Sequence, residues 1–403
     1  MSVPHNTLLQ APLDLAPPAA PIGQPYEARL HTRFETVAPV WRALEADGLV
    51  TAYQRADWAA GIAARVAGPA GASPLFVELV ERASGRTVMI WPLALVRRRG
   101  LRVLTWLDLG VSDYAAPVLA AGVAPSAGAM RAAWAAMRGV LPKADLIRIS
   151  WVPATVHGRA NPLAVLPHRR RMTMQASGVV LDGDPETLLK RLCRPSTLKD
   201  FGKQRRRLER AGALRFALAQ TPEAVETVYA AIVEQRRRRF AEMGRFDLLA
   251  RPEIEAFYRE RALDGLSGGP ARLFSLRVGD TVVAAAYGLA HRDTFHGIML
   301  TTSDDPAWRN ASPGMQIVGD VMRWARADGL TYFDFTVGDL PYKRDFGVAP
   351  RDLDEIVQPL TLRGALLVAA LRGADAAMLR LRAHKALFER ARGLRRGLRK
   401  VWR

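Results

Sequence analysis

Apolar positions along this chain recur with two periods, and the way the periods alternate divides it into one layout used twice. Between 29 and 165, three- and four-residue spacing predicts helices over 36–46 (VAPVWRALEAD) and 56–66 (ADWAAGIAARV). Runs rich in β-branched and aromatic residues then predict strands at 75–81 (LFVELVE), 87–96 (TVMIWPLALV) and 101–109 (LRVLTWLDL). Ser84-Gly85 and Arg99-Gly100 mark the turns of an antiparallel meander. A helix over 126–138 and a strand over 145–151 follow.

The second set spans 221–360. Thr221-Pro222-Glu223 opens a helix running to about 241, with a capping hydroxyl, a proline in the first turn and an acid at the positive end of the dipole. A second helix covers 253–263, then strands at 271–278, 281–290 and 294–300, a helix over 313–328 and a strand at 331–337. Both sets read helix–helix–three strands–helix–strand, which predicts two tandem α/β domains, each a mixed sheet flanked by helices. Residues 166–220 form a basic connector with a strand (TMQASGVVL), a short helix from Asp184 and a helix near 196–211. Residues 1–28 hold six prolines and read as a disordered tail; 361–403 reads as a basic helical tail.

The chain has 403 residues and a net charge of +19, and 361–403 carries 12 Lys or Arg against two acids. Such a balance favours an anionic partner, and the tail suits an anionic membrane surface. The expected location is the cytoplasm, peripheral at the inner face of the membrane. No segment is apolar for the roughly 18–20 residues that span a bilayer. One cysteine, Cys193, excludes an internal disulfide, and seven scattered histidines give no metal-ligand spacing, so no metal is expected. Arg191 and Arg194 beside Cys193 would lower its thiol pKa. G-x-S-x-G, H-E-x-x-H and P-loop motifs are lacking.

The 313–328 helix has the clearest signals: Ser312 as cap, Pro313 in the first turn and Gly329 as stop, with Gln316, Asp320 and Arg323 on the face opposite the apolar one. Lying between two strands, it predicts a right-handed parallel crossover. Its start and the loop GDLPYK (338–343) then share the sheet edge where ligands bind. Free amides around Pro313–Gln316, with Arg309 and Lys343, make that crevice a phosphate site. Lys343 stands out because the chain uses only 7 Lys against 51 Arg.

SPGMQIVGDVMRWARADG followed by YFDFTVGDLPYKRDFG resembles the acetyltransferase domain of the cellulose-biosynthesis CelD-like family, within the GNAT superfamily. PLALVRRRGLRVLTWLDLGVSDYAAPVL resembles the family's N-terminal half, and two GNAT-like folds in tandem resemble the FemAB peptidoglycan-bridge transferases. The resemblance implies two GNAT-like domains and transfer of an acyl group from acetyl-CoA or another acyl-CoA to an amine, such as an amino sugar or a polysaccharide or cell-envelope precursor. It implies phosphate binding by Arg309, Ser312, Gly314, Met315 and Gln316, and pairing of strand 295–300 with the pantetheine arm. Tyr342 would be the acid, Asp339 the base or amine binder, and Lys343 the partner of an anionic group. Ser112, Asp113, Tyr114 and His296 fall to the substrate, with His296 an alternative base and Asp334 structural. The stretch RNASPGMQ departs from the usual glycine-rich start, since Pro313 removes an amide donor. A carrier-protein thioester or an aminoacyl-tRNA, the latter as FemAB similarity allows, is therefore an alternative donor. A non-catalytic basic protein that binds nucleic acid or membrane is the competing class.

Overall fold

The computed structural model describes residues 25–383 apart from Arg99, and the side chains up to Gly373. The first unit consists of β1 (Tyr26–His31), α1 (Phe34–Asp47), α2 (Ala56–Gly61), β2 (Ala72–Glu81), β3 (Thr87–Arg98), β4 (Leu101–Trp106), β5 (Val118–Leu119), α3 (Ala127–Val140) and β6 (Leu146–Pro153). A small hairpin, β7 (Thr155–Val156) and β8 (Arg159–Ala160), leads to β9 (Arg169–Val180), α4 (Leu188–Leu192) and α5 (Pro195–Ala211). The second unit is β10 (Leu214–Leu218), α6 (Pro222–Glu242), α7 (Pro252–Asp264), β11 (Ala271–Val278), β12 (Thr281–His291), β13 (Thr294–Thr302), α8 (Pro313–Ala327) and β14 (Tyr332–Val337). β15 (Ala349–Pro359) and α9 (Leu362–Ala383) follow.

Local chemistry places the helix starts. Thr221 accepts a hydrogen bond from Ala224 N at 3.2 Å, and Ser126 accepts one from Ala129 N at 3.2 Å. In each unit the strands pair antiparallel until the last: β4 with β6, and β13 with β14, are parallel across a helical crossover. The layout thus repeats in three dimensions. The two halves then merge into a single sheet in the order β1-β2-β3-β4-β6-β15-β9-β14-β13-β12-β11-β10. The joining strands are exchanged. β9 follows the first unit but lies against β14 of the second, while β15 follows the second but lies against β6 of the first.

Three apolar clusters hold this sheet. One side of the first half packs on α3 through Trp91, Trp106 and Trp134. The corresponding side of the second half packs on α5 and α8 through Phe201, Phe274, Phe295, Phe333 and Phe335. The third cluster joins the halves, setting α1 and α2 against α6 and α7, with the Trp58 and Phe257 rings 4.8 Å apart. Each large side chain buried this way contributes roughly 1.5–3 kcal/mol relative to exposure.

Several expectations need correcting. Strands β1, β10 and β15 were not foreseen, and β1 begins inside the range read as a tail. β4 ends at Trp106 instead of 109, because the chain turns through Leu109 at φ 42°. Ser312 does not cap α8 with its side chain. It sits in the left-handed region at φ 44°, ψ 56° and makes no side-chain cap bond. Gln316 and Asp320 do not face solvent: α5 covers them, with Gln316 Nε2 donating to Phe201 O at 3.0 Å and Arg205 Nη1 bonding Asp320 at 3.2 Å. Cys193 is buried, and burial pushes its thiol up to about 11 instead of down. Part of the basic tail forms α9; residues 384–403 and 1–24 lie outside the described residues.

Candidate active site

The decisive local feature is how briefly β13 and β14 stay together. Thr294, Phe295 and His296 pair with Tyr332, Phe333 and Asp334, and there the ladder stops. β14 bulges after Asp334, with Thr336 at φ 56°. A β-branched residue in that region is strained, so the surroundings must hold it. They do so from three sides. Thr336 N donates to Asp334 Oδ1 at 2.8 Å, and Thr336 Oγ1 donates to Gly297 O at 3.2 Å. The buried Lys343 ammonium donates to Phe335 O (2.7 Å), Gly338 O (2.8 Å) and Thr336 O (3.3 Å). Carbonyls that a neighbouring strand would have satisfied are satisfied by one lysine.

β13 bends as well. Gly297 faces Gly288 and Met299 faces Tyr287, leaving Ile298 without a partner on β12. The parted strands open a cleft of about 730 Å³, lined by β13 from Gly297 to Thr302, by Phe335–Val337 and by Tyr342 and Lys343. The α8 start, Ser312–Met315, and Arg309 border the same cleft, as the crossover geometry requires.

Where the strands are still paired, a polar cluster fills the seam between the halves. Asp334 is buried and accepts from Tyr114 Oη at 2.8 Å and Arg351 Nη2 at 2.5 Å. Burial alone would raise its pKa, but the His296 and Arg351 interactions and the Tyr114 bond outweigh that and hold it at about 2. His296 is buried between Tyr53 and Tyr114; its Nδ1 is 3.4 Å from Asp334 Oδ2, and its Nε2 has no hydrogen-bond partner among the described residues. Asp113 accepts from Tyr53 Oη at 3.3 Å. Its pKa is raised, chiefly by burial and also by the Asp334 charge, against the bond from Thr336. Asp108 is pushed up to about 6, first by burial, with the Gly110 amide opposing and the Asp113 charge adding.

The expected residues therefore separate into groups. Asp113, Tyr114 and His296 of the two halves meet in the seam beside Thr336, where Tyr114 and His296 line a second hollow of about 400 Å³ with Asp334 and Arg351, while Arg309, Ser312, Gly314, Met315 and Tyr342 line the cleft. Ser112 is buried and accepts from Trp58 Nε1 at 3.1 Å, so it packs the first unit. Gln316 points into α5, away from the cleft. Asp339 is exposed and paired with Arg344 at 2.8 Å, which leaves it off the cleft lining. Lys343 lines the cleft but spends its ammonium on backbone carbonyls instead of an anion. Tyr53, Thr336 and Arg351 were missed. Nothing near Arg351 signals a site, since its strand reads as a charged loop.

Residues 195–344 match the family model of the acetyltransferase (GNAT) domain. The fold is the GNAT acyltransferase fold, in tandem. Among solved structures it is similar to FemX, at 12% identity and a TM-score of 0.52, covering 81% of this chain and 96% of that one. A tandem GNAT protein from the clavulanic acid biosynthesis pathway aligns at 14% identity and a TM-score of 0.46, covering 83% and 99%. At these identities the likeness to FemX is one of fold. Compared by sequence, no protein of curated function matches the chain.

The GNAT cleft depends on Lys343 if its three bonds hold β14 back. Lys343→Met is expected to leave those carbonyls unsatisfied and to lower stability by about 2–3 kcal/mol, read from urea unfolding. A variant as stable as the parent would show that the carbonyls find other donors.

Proposed function

We propose that the protein is an N-acyltransferase that moves an acyl group from a thioester on a phosphopantetheine arm, acyl-CoA in the simplest case, to an amine. The observation that carries this reading is the parting of β13 and β14 beside the start of α8. An arm lying in that gap meets the free edge of β13 and can hydrogen-bond as an added strand would. The cleft volume falls within the range of roughly 300–1,000 Å³ usual for small-molecule sites.

The thioester carbon would then lie near Thr336 and Ile298, which line the cleft, with the Asp113 carboxyl bonded to the Thr336 side chain. Asp113, with its raised pKa, takes the proton as the amine attacks. Ile298, turned out of the β12 ladder, offers its N–H to the oxyanion. Tyr342 borders the cleft, and burial pushes its hydroxyl up to about 12, so it holds a proton to give the departing thiolate. The CelD-like resemblance points to an amino sugar or cell-envelope precursor as acceptor. The FemX-like fold supports a second reading with an aminoacyl-tRNA donor.

A thermal-shift panel tests the donor. Acetyl-CoA at a hundredfold excess over Kd should stabilise the chain by about 2.7 kcal/mol. Absence of any shift with acetyl-CoA, longer acyl-CoAs and carrier thioesters would sink the proposal, and a shift with aminoacyl-tRNA alone would favour the second reading. Tyr342→Phe should leave acetyl-CoA binding intact and lower kcat by about a hundredfold or more, as loss of a proton donor does. Unchanged kcat would remove Tyr342 from the mechanism.

A further inference from the structure

We infer that the acyl donor is presented by an acidic carrier protein that docks over the mouth of the cleft, its phosphopantetheine arm entering between β13 and β14. The inference rests on the acyl-transfer reading and specifies what carries the thioester.

The first observation concerns the start of α8. A diphosphate needs several free amides at a helix N-terminus. Here Pro313 has none, and Met315 N and Gln316 N already donate to Ser312 O at 3.0 and 3.3 Å. Gly314 alone retains a free amide among the first four helical positions. One backbone donor suits the single phosphodiester that joins an arm to a protein better than the diphosphate of a free nucleotide cofactor.

A second, independent observation is the surface around the mouth. Met243 (41% exposed) and Leu340 (48%) form its lips, and Phe246 (66%), next to the lining residue Arg245 just past the end of α6, is exposed too. Exposed large apolar side chains grouped in this way mark an interaction site. Arginines surround them. Arg245 and Arg309 are exposed without an acidic partner among the described residues, and Arg251 stacks over the Phe246 ring at 5.6 Å. On the other side, Arg207 of α5 donates to Asn310 O at 2.6 Å, tying the cationic helix to the Arg309 loop. Lys203 and Arg206 are exposed on the same helix. Two nearby acids are occupied, Asp304 by Arg238 and Asp339 by Arg344, while Asp200 and Asp345 line an adjoining hollow on the α5 side that shares Ser312, Met315, Pro341 and Tyr342 with the cleft. An apolar strip ringed by arginine complements an acidic helix with an apolar stripe. A phosphate backbone would leave the strip without a partner.

Fluorescence anisotropy of a labelled acidic acyl carrier protein, in its acetylated phosphopantetheine form, tests this with the full chain. Binding should saturate, weaken with salt, and fall about tenfold in the double variant Phe246→Ser, Arg251→Glu, while acetyl-CoA affinity changes less than about twofold. Both positions lie outside the cleft lining, so the cleft itself is left intact. Failure of the carrier protein to bind, equal binding to the double variant, or displacement by tRNA at lower concentration would each overturn the inference. If acetyl-CoA still stabilises the chain in those cases, the acyl-transfer reading stands without it. If neither donor binds, both fall.

Discussion

Asp334→Ala should be the most destabilising single substitution in the site, lowering the free energy of unfolding by about 3–5 kcal/mol, the usual cost of removing one partner from a buried ion pair. The carboxylate holds four groups at once: the Arg351 guanidinium, the Tyr114 hydroxyl, the Thr336 amide and the nearby His296 ring. Removing it leaves the Arg351 charge, which sits over the Tyr114 and Tyr332 rings, without its counter-ion. It also releases the strained Thr336 backbone. Its pH dependence has a definite sign. The folded-state pKa of about 2 lies below the ordinary value of 3.8, so the contribution is complete above the unfolded value and disappears as pH falls from about 4 to 2. Urea unfolding at pH 7 and at pH 2.5 should show a smaller gap between parent and variant at the lower pH. A gap that is small at pH 7, or that grows on acidification, would contradict this account.

Asp113→Asn should have the largest effect on turnover, a fall in kcat of about 10²–10⁴-fold with folding preserved. Asparagine keeps the shape and can still accept from the Tyr53 hydroxyl, but it cannot take a proton. The pH profile separates catalysis from packing. In the parent, activity should decline on acidification through a pKa above the usual 3.8, because burial and the Asp334 charge favour the protonated form. In the variant that limb should vanish. A variant that keeps both its turnover and the acid limb would shift the base to His296 or Asp108, which lie in the same neighbourhood.

The doubled layout was legible because the two helices, three strands, crossover helix and closing strand of each half show their own period. Thr221 caps α6 where the sequence placed it. The crossover from β13 to β14 followed from the α8 pattern, and with it the shared position of Ser312 and Lys343 on one cleft. What escaped was governed by distant partners. β15 reads as a charged loop because Asp354 and Glu355, though buried, are matched by Arg148 and Arg169–Arg171 on adjacent strands. No local pattern distinguishes a buried ion-pair ladder from a solvated run. Gln316 and Asp320 read as solvent-facing because α5, which covers them, is itself so cationic. Lys343 was marked out by its rarity, yet its role depends on three carbonyls exposed by a bulge that the sequence does not announce.

The exchanged strands carry a consequence for biosynthesis. A chain emerging from the ribosome offers β6 early, but β15, its neighbour on the open side, arrives some 200 residues later. Until then the first half carries an uncapped, aggregation-prone strand edge. The nascent protein therefore carries that open edge until β15 itself has been made.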